Sequence, residues 1–132
     1  MTFVDASVLC AILLREPEAE HFISQLEAAS SPITSAVAVY ETVAVVARTV
    51  RGDVVAARRD VAKFLIDVGI TLVPIGLAEQ EVALDAFDRY GKGRHPAELN
   101  MGDCFAYACA RTRGARLLYK GDDFARTDIG AA

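Results

Sequence analysis

Four short apolar runs, Thr2-Phe3-Val4, Ile33-Thr34-Ser35, Ile70 to Ile75 and Arg116 to Tyr119, are separated by longer stretches whose apolar residues return at helical spacing. This alternation constrains the fold more than any other feature. Parallel strands need long crossovers, helices supply them, and a sheet built this way is covered on both faces. The expected fold is α/β: a three-layer α/β/α domain with a mainly parallel central sheet.

The helical stretches have recognisable ends. Ala6 to Leu14 follows Asp5, and Glu16-Pro17-Glu18 opens a second helix whose Phe22, Leu26 and Ala29 form a stripe. Ser35 can cap a long helix from Ala36 to about Val50, which Gly52 stops. From Asp53 to Gly69 the stripe is Val61, Phe64, Leu65 and Val68. Leu77 to Tyr90 carries Val82, Ala86 and Tyr90 on one side, and Glu79, Glu81, Asp85 and Asp88 read as its solvated face. Gly91 to Pro96 is a loop, and a last helix runs from about Met101 to Arg113 before Gly114.

With 132 residues, 53% of them hydrophobic, the chain can bury one core and not two, so residues 1–132 are expected to form a single domain. No apolar run approaches the roughly 20 residues of a membrane helix, because Arg15, Glu41, Arg48 and Asp67 interrupt the candidates. The apolar N-terminal stretch has no basic residue before it and contains Asp5, which argues against an export signal and for a cytoplasmic protein. Cys10, Cys104 and Cys109 are odd in number and lack C-x-x-C spacing, so they read as buried hydrophobes rather than disulfide or zinc partners. A net charge of −4 argues against a general basic field for coating nucleic acid and leaves room for a local groove.

The chemistry is carried by acids. Asp5 directly follows the first strand, at the carboxyl end where open α/β sheets bind ligands, and it can equally cap the next helix. Glu41 lies within Ala36 to Ala47, a helix apolar around most of its circumference. An unpaired charge buried there costs many kcal/mol, so it should face a cation or a cleft. Arg48 is about two turns further on, roughly 10 Å along the axis, too far for a direct pair. Asp103 stands in the first turn of its helix, as a dipole partner or as a site acid. Asp122 and Asp123 follow the fourth strand, in a plain turn or at a second strand-end site. Four carboxylates brought to one edge repel one another, and a hard divalent cation relieves that. Mg²⁺ binds a few carboxylates, waters and phosphate oxygens, which points to phosphodiester or phosphoryl chemistry.

The blocks FVDAS, Tyr40-Glu41-Thr42, YGKGRHPAELNMGDCFAYA and LLYKGDDFARTDI resemble the PIN-domain ribonucleases and, among them, the VapC toxins of prokaryotic toxin–antitoxin modules. The resemblance spans nearly the whole chain. It implies a PIN-like sheet flanked by helices, an acidic Mg²⁺ site in which Mn²⁺ substitutes, cleavage of RNA, homodimerisation and inhibition by a cognate VapB-type antitoxin. By motif, Asp5, Glu41 and Asp103 take the places of the first three acids. In the family the acid before the Phe recurs, which favours Asp123 for the fourth place over its neighbour Asp122. Asp5 and Asp103 are then the principal metal ligands, with Glu41 and Asp123 completing the site. Ser7 and Thr34 are implied to hold site waters or orient the carboxylates. Arg48, Lys92, Arg94, Arg111 and Lys120 are candidate phosphate contacts, while His95 has only its nearness in sequence to Asp103.

Other acidic α/β proteins fit less well. A receiver domain needs an Asp ending its third strand, where this chain has Thr71-Leu72-Val73-Pro74-Ile75, and an Asp-x-Asp phosphatase needs an acid where Ser7 stands. Gly91-Lys92-Gly93 is not a P-loop. The alternative from another class is a non-catalytic PIN-like module that binds RNA or protein, against which the presence of all four acids weighs.

Overall fold

The structure, a computed structural model, describes residues 1–49 and 52–130. In chain order the elements are β1 (Thr2–Val4), α1 (Ala6–Leu13), α2 (Ala19–Ala28), β2 (Pro32–Ser35), α3 (Ala36–Thr49), α4 (Val54–Val68), β3 (Thr71–Val73), α5 (Leu77–Tyr90), α6 (Met101–Thr112) and β4 (Arg116–Leu118), followed by a single 3₁₀ turn at Phe124–Arg126. The four strands form one parallel sheet in the order β3-β2-β1-β4. The expected end of the third helix at Val50 lies outside the described residues.

Period-two alternation along the strands divides the core into two layers. Phe3, Ile33 and Leu117 face one way, into a cluster with Ala106, Tyr107 and Ala86 of α6 and α5. Val4 and Leu118 face the other, into a cluster with Val8, Leu9, Phe22, Val61 and Leu65 of α1, α2 and α4. Helix α3 packs against α1, α4 and α6 and so bridges the layers at one end of the sheet. Because β2 and β3 lie on one side of β1 and β4 on the other, strand order reverses at β1. A crevice therefore opens at the carboxyl end of β1, beside β4.

Several boundaries differ from expectation for local reasons. Arg15 adopts a positive φ of 53°, which ends α1 and delays α2 until Ala19. Strand β3 is three residues long rather than six, since Pro74 has no N–H to donate and Gly76 already caps α5. Gly69 takes the left-handed conformation, φ 80°, that closes α4. Glu79 is not on a solvated face: it is buried, its carboxylate accepts the Gly76 N–H at 2.7 Å and pairs with Arg113 at 3.4 Å, and Arg113 also donates to the Pro74 carbonyl at 2.9 Å. The other three acids of that helix are exposed as expected. All three cysteines are buried and unpaired. Among the described residues no helix is long and apolar enough to cross a membrane.

Candidate active site

Asp5 is the first residue beyond β1, and its N–H donates to the Leu118 carbonyl of β4 at 3.0 Å. Its side chain caps α1: Oδ2 accepts the Ser7 N–H at 3.1 Å and the Ser7 hydroxyl at 2.5 Å. The Ser7 oxygen in turn accepts the Lys120 N–H at 3.0 Å, so the segment after β4 fixes the hydroxyl that orients Asp5. Burial pushes the Asp5 carboxyl above its ordinary range despite the Ser7 bonds, and the charge of Asp123 adds to the rise.

Glu41 sits in the middle of α3 beside the buried Thr42, whose hydroxyl donates to the Ala38 carbonyl at 2.7 Å. Its carboxylate lies directly on the Cα of Gly102 in α6: a Cβ at position 102 would stand 2.1 Å from Glu41 Oε2. Only glycine admits the carboxylate there. Burial, then the charges of Asp5 and Asp103, raise the Glu41 pKa to about 7.

Asp103 occupies the third position of α6 and forms a reciprocal cap with Asn100. Its N–H donates to Asn100 Oδ1 at 2.9 Å, and its Oδ2 accepts the Asn100 N–H at 3.1 Å. Burial is the largest cause of its raised pKa of about 6; the bond from Asn100 opposes the rise, and Asp5 and Asp123 add to it. Asp122 and Asp123 are both exposed, at the entry to the 3₁₀ turn. Of the two, it is Asp123 whose charge reaches Asp5 and Asp103.

Asp5, Glu41 and Asp103 thus line one cleft of about 290 Å³, together with Ser7, Glu16 and Lys120. Asp123 lies outside that lining and acts on it through its field. The larger α3–α4 groove, of about 600 Å³, is lined mostly by apolar side chains such as Val39, Val43 and Leu65.

The remaining expected residues fall into two groups. Ser7 does orient a carboxylate. Thr34 does not: it is fully buried and its hydroxyl donates to the Val4 carbonyl at 2.9 Å, tying β2 to β1 one residue before Asp5. Lys120 reaches the cleft with its ammonium paired to Glu16 at 3.0 Å and Glu18 at 3.2 Å. Arg111 is engaged by Asp128 and Tyr107, away from the acids. Arg94 pairs with Asp88 at 3.5 Å, and Arg48 and Lys92 are exposed. His95 accepts the Ala97 N–H on Nδ1 at 3.0 Å and packs edge-on against Tyr90, which makes it a loop-shaping residue. Gly102, Glu16 and Asn100 belong to the site without having been singled out. Gly102 and Asn100 flank Asp103 closely enough to be noticed, whereas nothing links Glu16 to Lys120, 104 positions away.

The profile of the PIN domain matches residues 2–130. This chain belongs to the PIN-domain family. Within it, a VapC ribonuclease of Rhizobium meliloti (strain 1021) is 40% identical, over 98% of this chain and the full length of the relative. The ribonuclease VapC of Mycolicibacterium smegmatis is 39% identical over 97% of each chain. Among solved structures, VapC20 of Mycobacterium tuberculosis, described as a sarcin–ricin loop cleaving toxin, superposes with a TM-score of 0.78 at 18% identity over 98% of this chain and 96% of its own. A toxin–antitoxin complex from Klebsiella pneumoniae gives 0.70 at 17% identity, covering 97% of this chain and 93% of that one. The α/β sandwich expected from the alternation of strands and helices, and the PIN domain implied by the resemblance, are therefore what is observed, with VapC proteins as relatives in sequence and in shape.

Proposed function

We propose that this PIN domain is a divalent-metal-dependent ribonuclease, the toxin of a toxin–antitoxin pair, acting in the cytoplasm as a homodimer. The observation that carries the reading is the convergence of Asp5, Glu41 and Asp103 on one cleft, with the Glu41 and Asp103 carboxyls lifted to about 7 and 6 by burial and by neighbouring negative charge. A site in that state favours a cation. The full-length similarity to named VapC ribonucleases supports the same chemistry.

The donor set fits a hard ion, since every ligand offered is a carboxylate oxygen. Among the described residues no group of three His, Cys, Asp or Glu side chains is gathered closely enough to hold an ion by itself. The ion proposed is Mg²⁺, which takes one or two carboxylates and completes its shell with waters and substrate phosphate oxygens, with Mn²⁺ as its substitute. Asp5 and Asp103 would hold it, Glu41 and Asp123 completing the negative field. When bound, such an ion neutralises phosphate charge and acidifies water. Ser7 keeps the Asp5 carboxylate in one orientation through its hydroxyl, and Asn100 does the same for Asp103 through its N–H. Glu41, with its proton affinity near neutrality, is suited to orient an attacking water and take its proton.

The test is RNA cleavage by purified protein with Mg²⁺ or Mn²⁺, with chelator, and with Asp5→Asn. Cleavage in both metals, lost in chelator and in the variant, is expected. Undiminished cleavage in chelator overturns the metal requirement. A folded wild type that binds RNA and cuts none in either metal establishes the non-catalytic module instead. The antitoxin is expected to be VapB-like. Helix α3 turns Glu41 toward the cleft and Val39 and Val43 toward the apolar α3–α4 groove, so an inhibitor segment with apolar residues and an arginine could fill both. Glu41→Gln should then weaken the complex; unchanged affinity would mean that access alone is blocked.

A further inference from the structure

The acids of the site are held in different ways. The Asp5 carboxylate is oriented by the Ser7 hydroxyl, and that of Asp103 by the Asn100 N–H. Asp123 has no such bond within its own turn: its side chain caps none of the N–H groups of the 3₁₀ turn it opens. Its place at the rim therefore depends on the backbone on either side. Downstream, Phe124 is buried and its ring packs on Tyr119 at 5.3 Å. Upstream lies Gly121, in the left-handed region at φ 95°, and before it Lys120. Glycine leaves the chain free to pivot, so that end of the segment needs an anchor.

Lys120 is tied at two points. Its N–H donates to the Ser7 oxygen at 3.0 Å, and its ammonium lies 3.0 Å from the Glu16 carboxylate and 3.2 Å from that of Glu18. The turn that presents those two carboxylates is itself rigid. Arg15 holds a φ of 53°, which a residue with a side chain keeps where its surroundings over-determine it. The Glu16 N–H donates to the Ala11 carbonyl at 2.9 Å, and Pro17 restricts the next φ. Glu18 stands at the N-cap of α2, yet its side chain makes no capping bond and goes to Lys120 instead. Among the described residues that line the acid cleft, Lys120 is the one cation. Two carboxylates already hold its ammonium, and a phosphate would have to displace both.

We propose that Lys120 is a positioning residue: clamped by Glu16 and Glu18, it anchors the segment after β4, so that its N–H holds Ser7 against Asp5 and Asp123 stays at the rim of the cleft. The inference deepens the ribonuclease reading and rests on it. It assigns the lysine to the architecture of the site rather than to the RNA.

Three variants test it. Lys120→Met removes the clamp at nearly constant shape. Glu16→Gln with Glu18→Gln removes it from the other side and frees the ammonium. Glu16→Lys with Lys120→Glu exchanges the charges and keeps one lysine between two glutamates. Mn²⁺ binding at pH 8 is followed by the electron paramagnetic resonance of the free ion, and RNA cleavage in Mg²⁺ by steady-state kinetics. By its field alone, losing a cation from the rim would tighten Mn²⁺ binding. Lys120→Met is expected to weaken it instead, by about 10-fold, as the loss of an outer partner of a metal ligand does. Lys120→Met and the double Gln variant should each lower kcat by about 10- to 100-fold with KM for RNA little changed. The charge exchange should recover most of that loss.

Tighter Mn²⁺ binding with kcat unchanged in Lys120→Met shows a charge acting by its field and overturns the proposal. A lower KM in the double Gln variant, with a higher one in Lys120→Met, makes the lysine a phosphate contact and overturns it too. Both results leave the ribonuclease reading standing. Should Lys120→Met not fold, the double Gln variant decides: a lower kcat supports positioning, and a lower KM with kcat kept refutes it. If the wild type binds Mn²⁺ and cuts no RNA, weaker binding in Lys120→Met keeps the positioning role and removes the ribonuclease reading. A wild type that binds neither Mn²⁺ nor RNA removes both.

Discussion

Glu41→Gln in the metal-free protein probes the acidic cleft through stability alone. The Glu41 carboxyl titrates at about 7 rather than its ordinary 4.5, so the folded state holds that proton more tightly than the unfolded chain. Each tenfold in proton affinity is worth about 1.4 kcal/mol, which sets a ceiling of about 3 kcal/mol on what the charged form costs the fold. Glu41 is partly open to water, and screening reduces the expected cost to roughly 1–2 kcal/mol. Between pH 4.5 and 7 the folded state binds more protons, so wild-type stability falls as pH rises through that window. Asp103, raised to about 6, adds a fall of the same sign.

Gln removes the charge and keeps the shape. At pH 8 without metal the variant should therefore melt higher than wild type by about 4–8 °C, at about 4 °C per kcal/mol for a chain of this length. The gap should close as pH drops and vanish below 4.5. Added Mg²⁺ should reverse the order, because an ion that binds only the folded state stabilises it in proportion to the logarithm of its excess over Kd, and the variant binds it less well. Scanning calorimetry of both proteins at pH 8 and pH 4, with and without Mg²⁺, reads all of this. A variant that melts at or below wild type at pH 8, by a margin that does not change with pH, refutes the argument and makes Glu41 an ordinary helix residue.

Other outcomes follow from the same geometry. Asp123→Asn should reduce RNA turnover at least tenfold more than Asp122→Asn, since the Asp123 charge is the one that reaches Asp5 and Asp103; equal effects would show that neither is a site acid. Gly102→Ala would ordinarily stabilise a helix by roughly 0.5–1 kcal/mol, but here its Cβ displaces the Glu41 carboxylate. The melting temperature should fall, and turnover should drop on the order of 100-fold, as for a misplaced catalytic group; a higher melting temperature with full activity would refute the contact. Ser7→Ala removes a donor from Asp5 and an acceptor from the Lys120 N–H. It should cost about 1–2 kcal/mol in denaturant melts, and Ser7→Thr should restore both stability and turnover.

The fold was legible because strand and helix periodicities are local: α5 begins and ends at the residues its stripe predicts, Leu77 and Tyr90. Glu79 was misread because a helical stripe treats the first turn like any other, whereas a first-turn side chain can fold back onto the cap, as its bond to the Gly76 N–H does. The role the resemblance implied for Thr34 does not hold, because its buried hydroxyl is used by the neighbouring strand's Val4 carbonyl, and nothing local in the sequence tells such a hydroxyl from one facing a site. Site positions at strand ends and helix starts could be picked out by eye. The clamp of Glu16 and Glu18 on Lys120 could not, since only the folded chain brings those positions together.

For Asp5 and Asp103 the cap and the site acid are the same carboxylate. Strands running parallel put the amino ends of α1 and α6 at the same edge of the sheet, and each acid spends one oxygen on the N–H groups there. Those N–H groups and the helix dipoles lower the cost of holding negative charge. Two acids can therefore be gathered at this edge with part of their repulsion already offset. Glu41 has no such help, because it is the sixth residue of α3, beyond the reach of that helix's amino end, and it rests on the bare Cα of Gly102. Burial is the largest cause of the rise in both, to about 7 for Glu41 and to about 6 for Asp103, where the bond from Asn100 opposes it. Neutralising Asp103 also breaks its reciprocal cap with Asn100, whereas neutralising Glu41 removes a charge and no such bond, which is why Glu41 is the residue whose neutralisation should most clearly separate the stability of the empty cleft from its function.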